Sequence, residues 1–309
     1  MRVFLPALLM CGHALTAWAE TVWIAVSTGS PDYAMVAEVV RDQLQRSEPP
    51  IDAAIKPWAE VTQQGVPAQV RLLVSVGSPA LAGLAEASAA GRLGRVPVVA
   101  TLLPHSVLEV QRKRMQQPLT AVILDQPPAR QMALLRYAFP TLRRIGVLIG
   151  PESAQYQAGL EKAATDQGLQ LNAYVTSGDG DTLYPVLQRV LEENDVLLAL
   201  PDATIYNSAS IQNILLASYR QKVPLIGYSP AYVRSGAMLA LYSTPTQIGV
   251  QTGRVVYGML AANPANVIVP PVQGPTDFSV GVNTGVARSL GFRISADALT
   301  IQLQGKERP

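Results

Sequence analysis

Apolar runs of strand length recur along the chain, and each ends in a cluster of turn residues that opens a helix-length stretch. Residues 22–27 run into Thr28-Gly29-Ser30-Pro31-Asp32, where Pro31 suits the first turn of a helix reaching about Arg46. Strands follow at 51–55 and 72–76, the latter ending in Gly77-Ser78-Pro79 ahead of a helix to about Ala90. Two more are predicted at 96–101 and 119–124, after which Asp125-Gln126-Pro127-Pro128 breaks the pattern. The pattern then restarts with a helix over 129–138, a strand over 145–149, and a helix opened by Gly150-Pro151-Glu152-Ser153 and stopped at Gly168. Strand 171–175, helix 182–193, strand 196–200, helix 208–221 and strand 223–227 complete the alternation. Strands alternating with helices predict an α/β fold built on parallel sheet, with helices on both faces.

The two halves share a layout. RLLVSVGSPALAGLAE followed by RVPVVATLLPHSV matches DVLLALPDATIYNSAS followed by KVPLIGYSPAYV: strand, loop, helix, then a basic residue, Val-Pro and a strand. Two Rossmann-like lobes are therefore expected. In such sheets ligands bind outside the carboxyl ends of the strands, where the sequence concentrates its polar and aromatic residues.

The amino terminus changes the chemistry available. Arg2, an apolar run over 3–10 and the small-x-small triplet Ala17-Trp18-Ala19 read as a secretion signal cleaved after Ala19. Gly12, His13 and Thr16 interrupt the stretch well short of the ~20 apolar residues of a membrane span. Met10 stands where a lipobox before Cys11 needs a small residue. Cleavage removes the single cysteine and one of two histidines, leaving His105. That count excludes a cysteine nucleophile, a Cys/His zinc site and a paired-histidine metal site. A Ser-His-Asp triad would need His105, read here as a loop residue after Pro104, and no G-x-S-x-G elbow occurs. No G-x-G-x-x-G follows the first strand. The reading is a binding protein, not an enzyme, with no cofactor. The formal net charge of +2 is spread along the chain, and Arg112-Lys113-Arg114 reads as a solvated helix end, so no nucleic-acid partner is expected.

Together SVGSPALAG, FPTLRRIGVLIGPES, LPDATIYN, GAMLALYSTPTQIGVQTG and SVGVNTGVARSLGFRI resemble the type I periplasmic substrate-binding proteins of ABC transporters, in the branch that includes tryptophan- and tyrosine-binding members. The resemblance covers nearly all of 20–295. It departs at Thr101-Leu102-Leu103-Pro104-His105, where relatives often carry a polar loop with an Asp-Pro pair. It implies a ligand cleft between two lobes joined by a three-segment hinge at 124–127, 240–244 and 267–275. The first lobe would hold 20–125 and 244–267, the second 126–243 and 268–309. It also implies a periplasmic monomer that takes a small organic ligand, an amino acid or aromatic compound among the candidates, and delivers it to an inner-membrane ABC permease. A sensor or outer-membrane receptor system is the alternative partner.

Candidate ligand residues follow from the strand exits. Ser30 and Tyr33 stand at the first. The helix openings at Gly77-Ser78 and Glu152-Ser153 offer amides to an anion, with Ser78 preferred because Glu152 repels a second negative charge. Asp202 would take a cationic or hydroxyl group, or else serves as a helix-capping or turn residue. Tyr206, Tyr228, Ser229, Tyr232 and Tyr242 could line one wall, apolar in body and polar at the tip, with core packing the competing use of the tyrosines.

Overall fold

The computed structural model describes residues 21–261 and 267–307; the expected signal segment, its cleavage site and Cys11 lie outside the described residues. The first sheet contains β1 (Val22–Val26), β2 (Ala53–Pro57), β3 (Leu72–Val76), β4 (Val98–Thr101) and β5 (Leu119–Val122). Their order is β2-β1-β3-β4-β5 with every neighbouring pair parallel. The second contains β6 (Arg144–Ile149), β7 (Gln170–Val175), β8 (Val196–Leu198), β9 (Leu225–Gly227), β10 (Leu239–Tyr242) and β11 (Ser279–Val282). Their order is β11-β10-β9-β8-β6-β7, parallel except where β11 closes the edge antiparallel to β10. The two-lobed α/β expectation holds. β3 is buried at all five positions, as a central parallel strand covered on both faces must be, which is why its sequence is apolar almost throughout.

Helices α1 (Pro31–Gln45), α2 (Trp58–Gln64), α3 (Ser78–Ala89) and α4 (His105–Arg112) follow the strands of the first sheet. The second carries α5 (Pro128–Ala138), α6 (Gln157–Asp166), α7 (Gly180–Glu193), α8 (Ile211–Arg220) and α9 (Pro230–Ser235). α10 (Pro245–Ala261) returns to the first sheet, and α11 (Thr284–Ser289) and α12 (Ala296–Glu307) cover the second. α1 turns Val36, Ala37, Val40 and Leu44 inward at helical spacing and meets α10 closely. Gly249 and Gly253 make that approach possible: a Cβ would come within 2.8 Å of Val39 at the first and 2.6 Å of Gln43 at the second.

α2 and α9 were not anticipated, and of α4 only its solvated end at Arg112 was. Each is 6–8 residues long, too short to show a clear amphipathic period. His105 is accordingly the first residue of α4, not a loop residue. The helix expected to open at Gly150 is instead a turn, then a 3-10 turn over Ala154–Tyr156, and only then α6. Past the undescribed residues 262–266 the chain stays on the first sheet as far as Gln273, which bridges Val122. That lies within the expected crossing of 267–275, but 268–273, expected in the second lobe, pair with the first. No helix among the described residues is long and apolar enough to cross a membrane.

Candidate functional site

A cavity of ≈ 490 Å³ opens between the carboxyl ends of the two sheets. That is the size of a small-molecule site. Asp32, Leu102 and Pro104 face it from the first sheet, and Leu124, Asp125, Gln126, Ser243 and Pro245 supply the crossing segments. The second sheet contributes most of the wall, including Leu198, Leu200, Ile226, Tyr228, Ser229 and Tyr242. Leu102 adopts a left-handed backbone, φ 56°. Such a conformation is costly for a branched side chain and is held only by its surroundings. Here the amides of Gly77 and Leu124 bind the carbonyls of Thr101 and Leu103 on either side, fixing Leu102 toward the cavity.

Of the residues expected to bind ligand, Tyr228, Ser229 and Tyr242 line this cavity. The others are placed elsewhere. Asp202 is 1% exposed and its carboxylate is saturated: Oδ2 accepts from the amides of Glu152 (3.1 Å) and Ser153 (2.9 Å) and from Ser153 Oγ (2.8 Å), while Oδ1 accepts from Thr204 N (3.0 Å) and Oγ1 (2.6 Å). Five donors exceed the roughly four lone-pair sites of a carboxylate. Asp202 is therefore a turn-locking residue, and its own charge occupies the amides at Glu152-Ser153 that were assigned to a ligand anion. Glu152 completes the lock by accepting from Ala203 N at 3.0 Å.

The opening at Gly77-Ser78 is similarly engaged, since Ala80 N donates to Ser27 Oγ at 2.9 Å and Pro79 has no amide to offer. Ser30 caps α1 by accepting from Asp32 N at 3.3 Å. Tyr33 lies against Gly77, where a Cβ would stand 2.5 Å from its ring. Tyr206 and Tyr232 are core residues, 6% and 9% exposed. Tyr232 packs on Tyr228 with ring centroids 4.6 Å apart and donates its hydroxyl to Tyr228 Oη at 2.8 Å, presenting Tyr228 to the cavity. Burial, more than any other influence, raises the Tyr228 pKa, so it stays a neutral phenol.

Asp125, Gln126, Tyr156, Asp32 and Arg234 line the cavity without having been anticipated. Asp125 lies in the first crossing segment, three residues past β5, and its carboxylate accepts from the Tyr156 hydroxyl and from His105 N (2.7 Å). Burial pushes the Asp125 carboxyl above its ordinary value, partly offset by those two hydrogen bonds and the nearby His105. Beside it His105 Nδ1 meets Gln155 Oε1 at 3.0 Å, linking α4 to the 3-10 turn of the second sheet. A carboxylate just ahead of Pro127-Pro128 was visible in the sequence, but it reads there as a strand breaker. Among the described residues no cluster of His, Cys, Asp and Glu could hold a metal.

A family model for "ABC transporter substrate binding protein" matches residues 52–304. The chain belongs to that family. A substrate-binding protein of this kind holds a solute and performs no chemistry on it. Solved structures agree on the fold. A conserved domain protein from Vibrio cholerae is 22% identical, with 90% of this chain and 96% of that one covered and a TM-score of 0.59. A protein from Streptococcus pneumoniae described as an ABC domain in complex with L-Trp is 21% identical over the same shares, TM-score 0.57. The ligand-free, open form of CD0873, a substrate-binding protein with adhesive properties from Clostridium difficile, is 15% identical over 89% and 96%, TM-score 0.67. No curated protein matches the chain.

Proposed function

We propose that this substrate-binding protein captures a small organic ligand in the cavity between its sheets and delivers it from the periplasm to an inner-membrane ABC permease. The observation that carries the reading is the cavity itself, walled by both sheets and floored by the crossing segments. A ligand touching both walls binds the closed arrangement more tightly than the open one, so it shifts the population toward closure. Closure is the shape a permease reads. A first lobe of 20–125 with 244–273 and a second of 126–243 with 274–309 would move about those crossings. The secretion signal ending at Ala19 supports the periplasmic location, and the protein would act there as a monomer. Leucines, prolines and Tyr228 around a few polar groups suit an amino acid or an aromatic compound, and the L-Trp complex of the S. pneumoniae neighbour supports that class.

The test is a thermal melt of residues 20–309 against amino acids, nucleosides, vitamins and aromatic acids. A ligand at about 100 times its dissociation constant adds roughly 2.7 kcal/mol, a shift of several degrees. Ile226→Trp, which fills the cavity, should abolish the shift. A hit that binds Ile226→Trp as tightly as wild type would place the site elsewhere and overturn the reading.

A further inference from the structure

The cavity is chemically divided. Its wall is largely apolar: Leu102, Leu124 and Tyr228 line it and are partly exposed, while at the second-sheet end Leu134, Leu160, Leu198, Ile226 and Leu241 back it as packed core, none more than 3% exposed. Such a wall favours an apolar occupant, because water against it finds few hydrogen-bond partners. Two carboxylates, Asp32 and Asp125, face the cavity against one guanidinium, Arg234, so its charge balance is negative. Asp32 and Arg234 are exposed at the rim, whereas Asp125 is partly buried.

Asp125 also has capacity that Asp202 lacks. It accepts from Tyr156 and from His105 N, two donors for roughly four lone-pair sites, and among the described residues no lysine or arginine lies within ion-pair distance of it. The His105 ring is engaged by Gln155 at 3.0 Å and by Glu109 at 3.6 Å. A partly buried carboxylate with acceptor sites to spare is a seat for a cation.

We propose that the ligand is an organic cation with an apolar body, its ammonium group set against Asp125 and its ring or alkyl group against the apolar wall formed by Leu102, Leu124 and Tyr228. The proposal rests on the cavity being the ligand site. Arg234 at the rim leaves room for an anionic substituent at the solvent end without requiring one. A cation set against Asp125 would stabilise its charged form and so lower the carboxyl that burial raises.

Three probes share one ring and differ in charge: 2-phenylethylamine, 2-phenylethanol and 3-phenylpropanoate. Titration calorimetry of residues 20–309 near neutral pH should show the amine binding at least tenfold tighter than the alcohol, with the propanoate weakest. In Asp125→Asn the amine and the alcohol should come within threefold of each other while the alcohol's affinity is unchanged. A propanoate as tight as the amine overturns the proposal, on wild-type protein alone and whatever the variant's stability. So does an amine preference that survives Asp125→Asn. Binding of none of the three refutes the proposal, whereas a solute panel that still gives a hit sensitive to Ile226→Trp leaves the transport reading standing.

Discussion

Replacing Asp202 with alanine separates a residue that shapes the site from one that touches ligand. The substitution removes an ionised acceptor from three amides, Glu152, Ser153 and Thr204, and from two hydroxyls. The hydroxyls can rotate to other partners, but the amides are fixed. Ser153 is fully buried, and Gly150 packs so tightly on the carboxylate that a Cβ there would lie 2.5 Å from Oδ2, leaving little space for water to substitute. One or two dry donors at about 1–3 kcal/mol each, plus the charge-assisted bonds lost, amount to about 3–5 kcal/mol. At about 2–4 °C per kcal/mol for a chain of this size, Tm should fall by about 6–20 °C. Ligand affinity measured by calorimetry well below the lowered Tm should stay within about threefold of wild type, because Asp202 does not line the cavity. An Asp202→Ala protein that melts like wild type but no longer binds would refute the reasoning and restore Asp202 to the ligand.

Gly77→Ala should destabilise by about 1–3 kcal/mol in urea melts, since φ is +89° there and the new Cβ would sit 2.5 Å from the Tyr33 ring. Arg130→Ala should cost about 3 kcal/mol by the same assay, because the guanidinium is 6% exposed, donates to Gln126 Oε1 (2.8 Å) and Pro275 O (2.9 Å), and stacks on Phe278. The pH dependence of stability should carry a contribution from Asp125. Its folded carboxyl holds a proton above the ordinary value of ~4, so stability falls as pH rises from there through the raised folded value. Asp179, Glu193 and Asp195 are shifted down and act oppositely, their stabilisation being lost as pH falls. Wild type minus Asp125→Asn isolates the first effect, and a difference that rises with pH would contradict it.

The fold was legible because burial imposes periodicity. Strands such as 72–76 are apolar almost throughout when covered on both faces, and the helix after the first strand was marked by Pro31 in its first turn. Short helices escaped because 6–8 residues give no reliable period. The site was legible only in part. Position at a strand exit identified Tyr228, Ser229 and Tyr242, but the same rule selected Asp202, whose carboxylate turns inward to amides fifty residues away. Whether a polar residue at a loop serves the chain or a ligand depends on how many donors meet it, and those donors come from other segments. Asp125 shows the converse, a residue with the sequence context of a breaker and the spatial context of a ligand group.

The same crossing segments that floor the cavity are tied to one another. Gln126 donates to Ser243 Oγ at 2.9 Å, Ser243 donates to Asp277 O at 2.6 Å, and Gln251 on α10 donates to Gly274 O at 2.9 Å. Arg130 joins the first and third crossings by donating to Gln126 and Pro275. Sliding one crossing past another would break several buried hydrogen bonds at once, each expensive to leave unmade. Rotation of the residues at the ends of these segments need break none, so the proposed closure would be a hinge movement and not shear. Gln126 and Ser243 belong both to this knot and to the cavity lining. A ligand bound there rests on the pivot itself, and its contacts with the two walls are made or lost together as the angle changes.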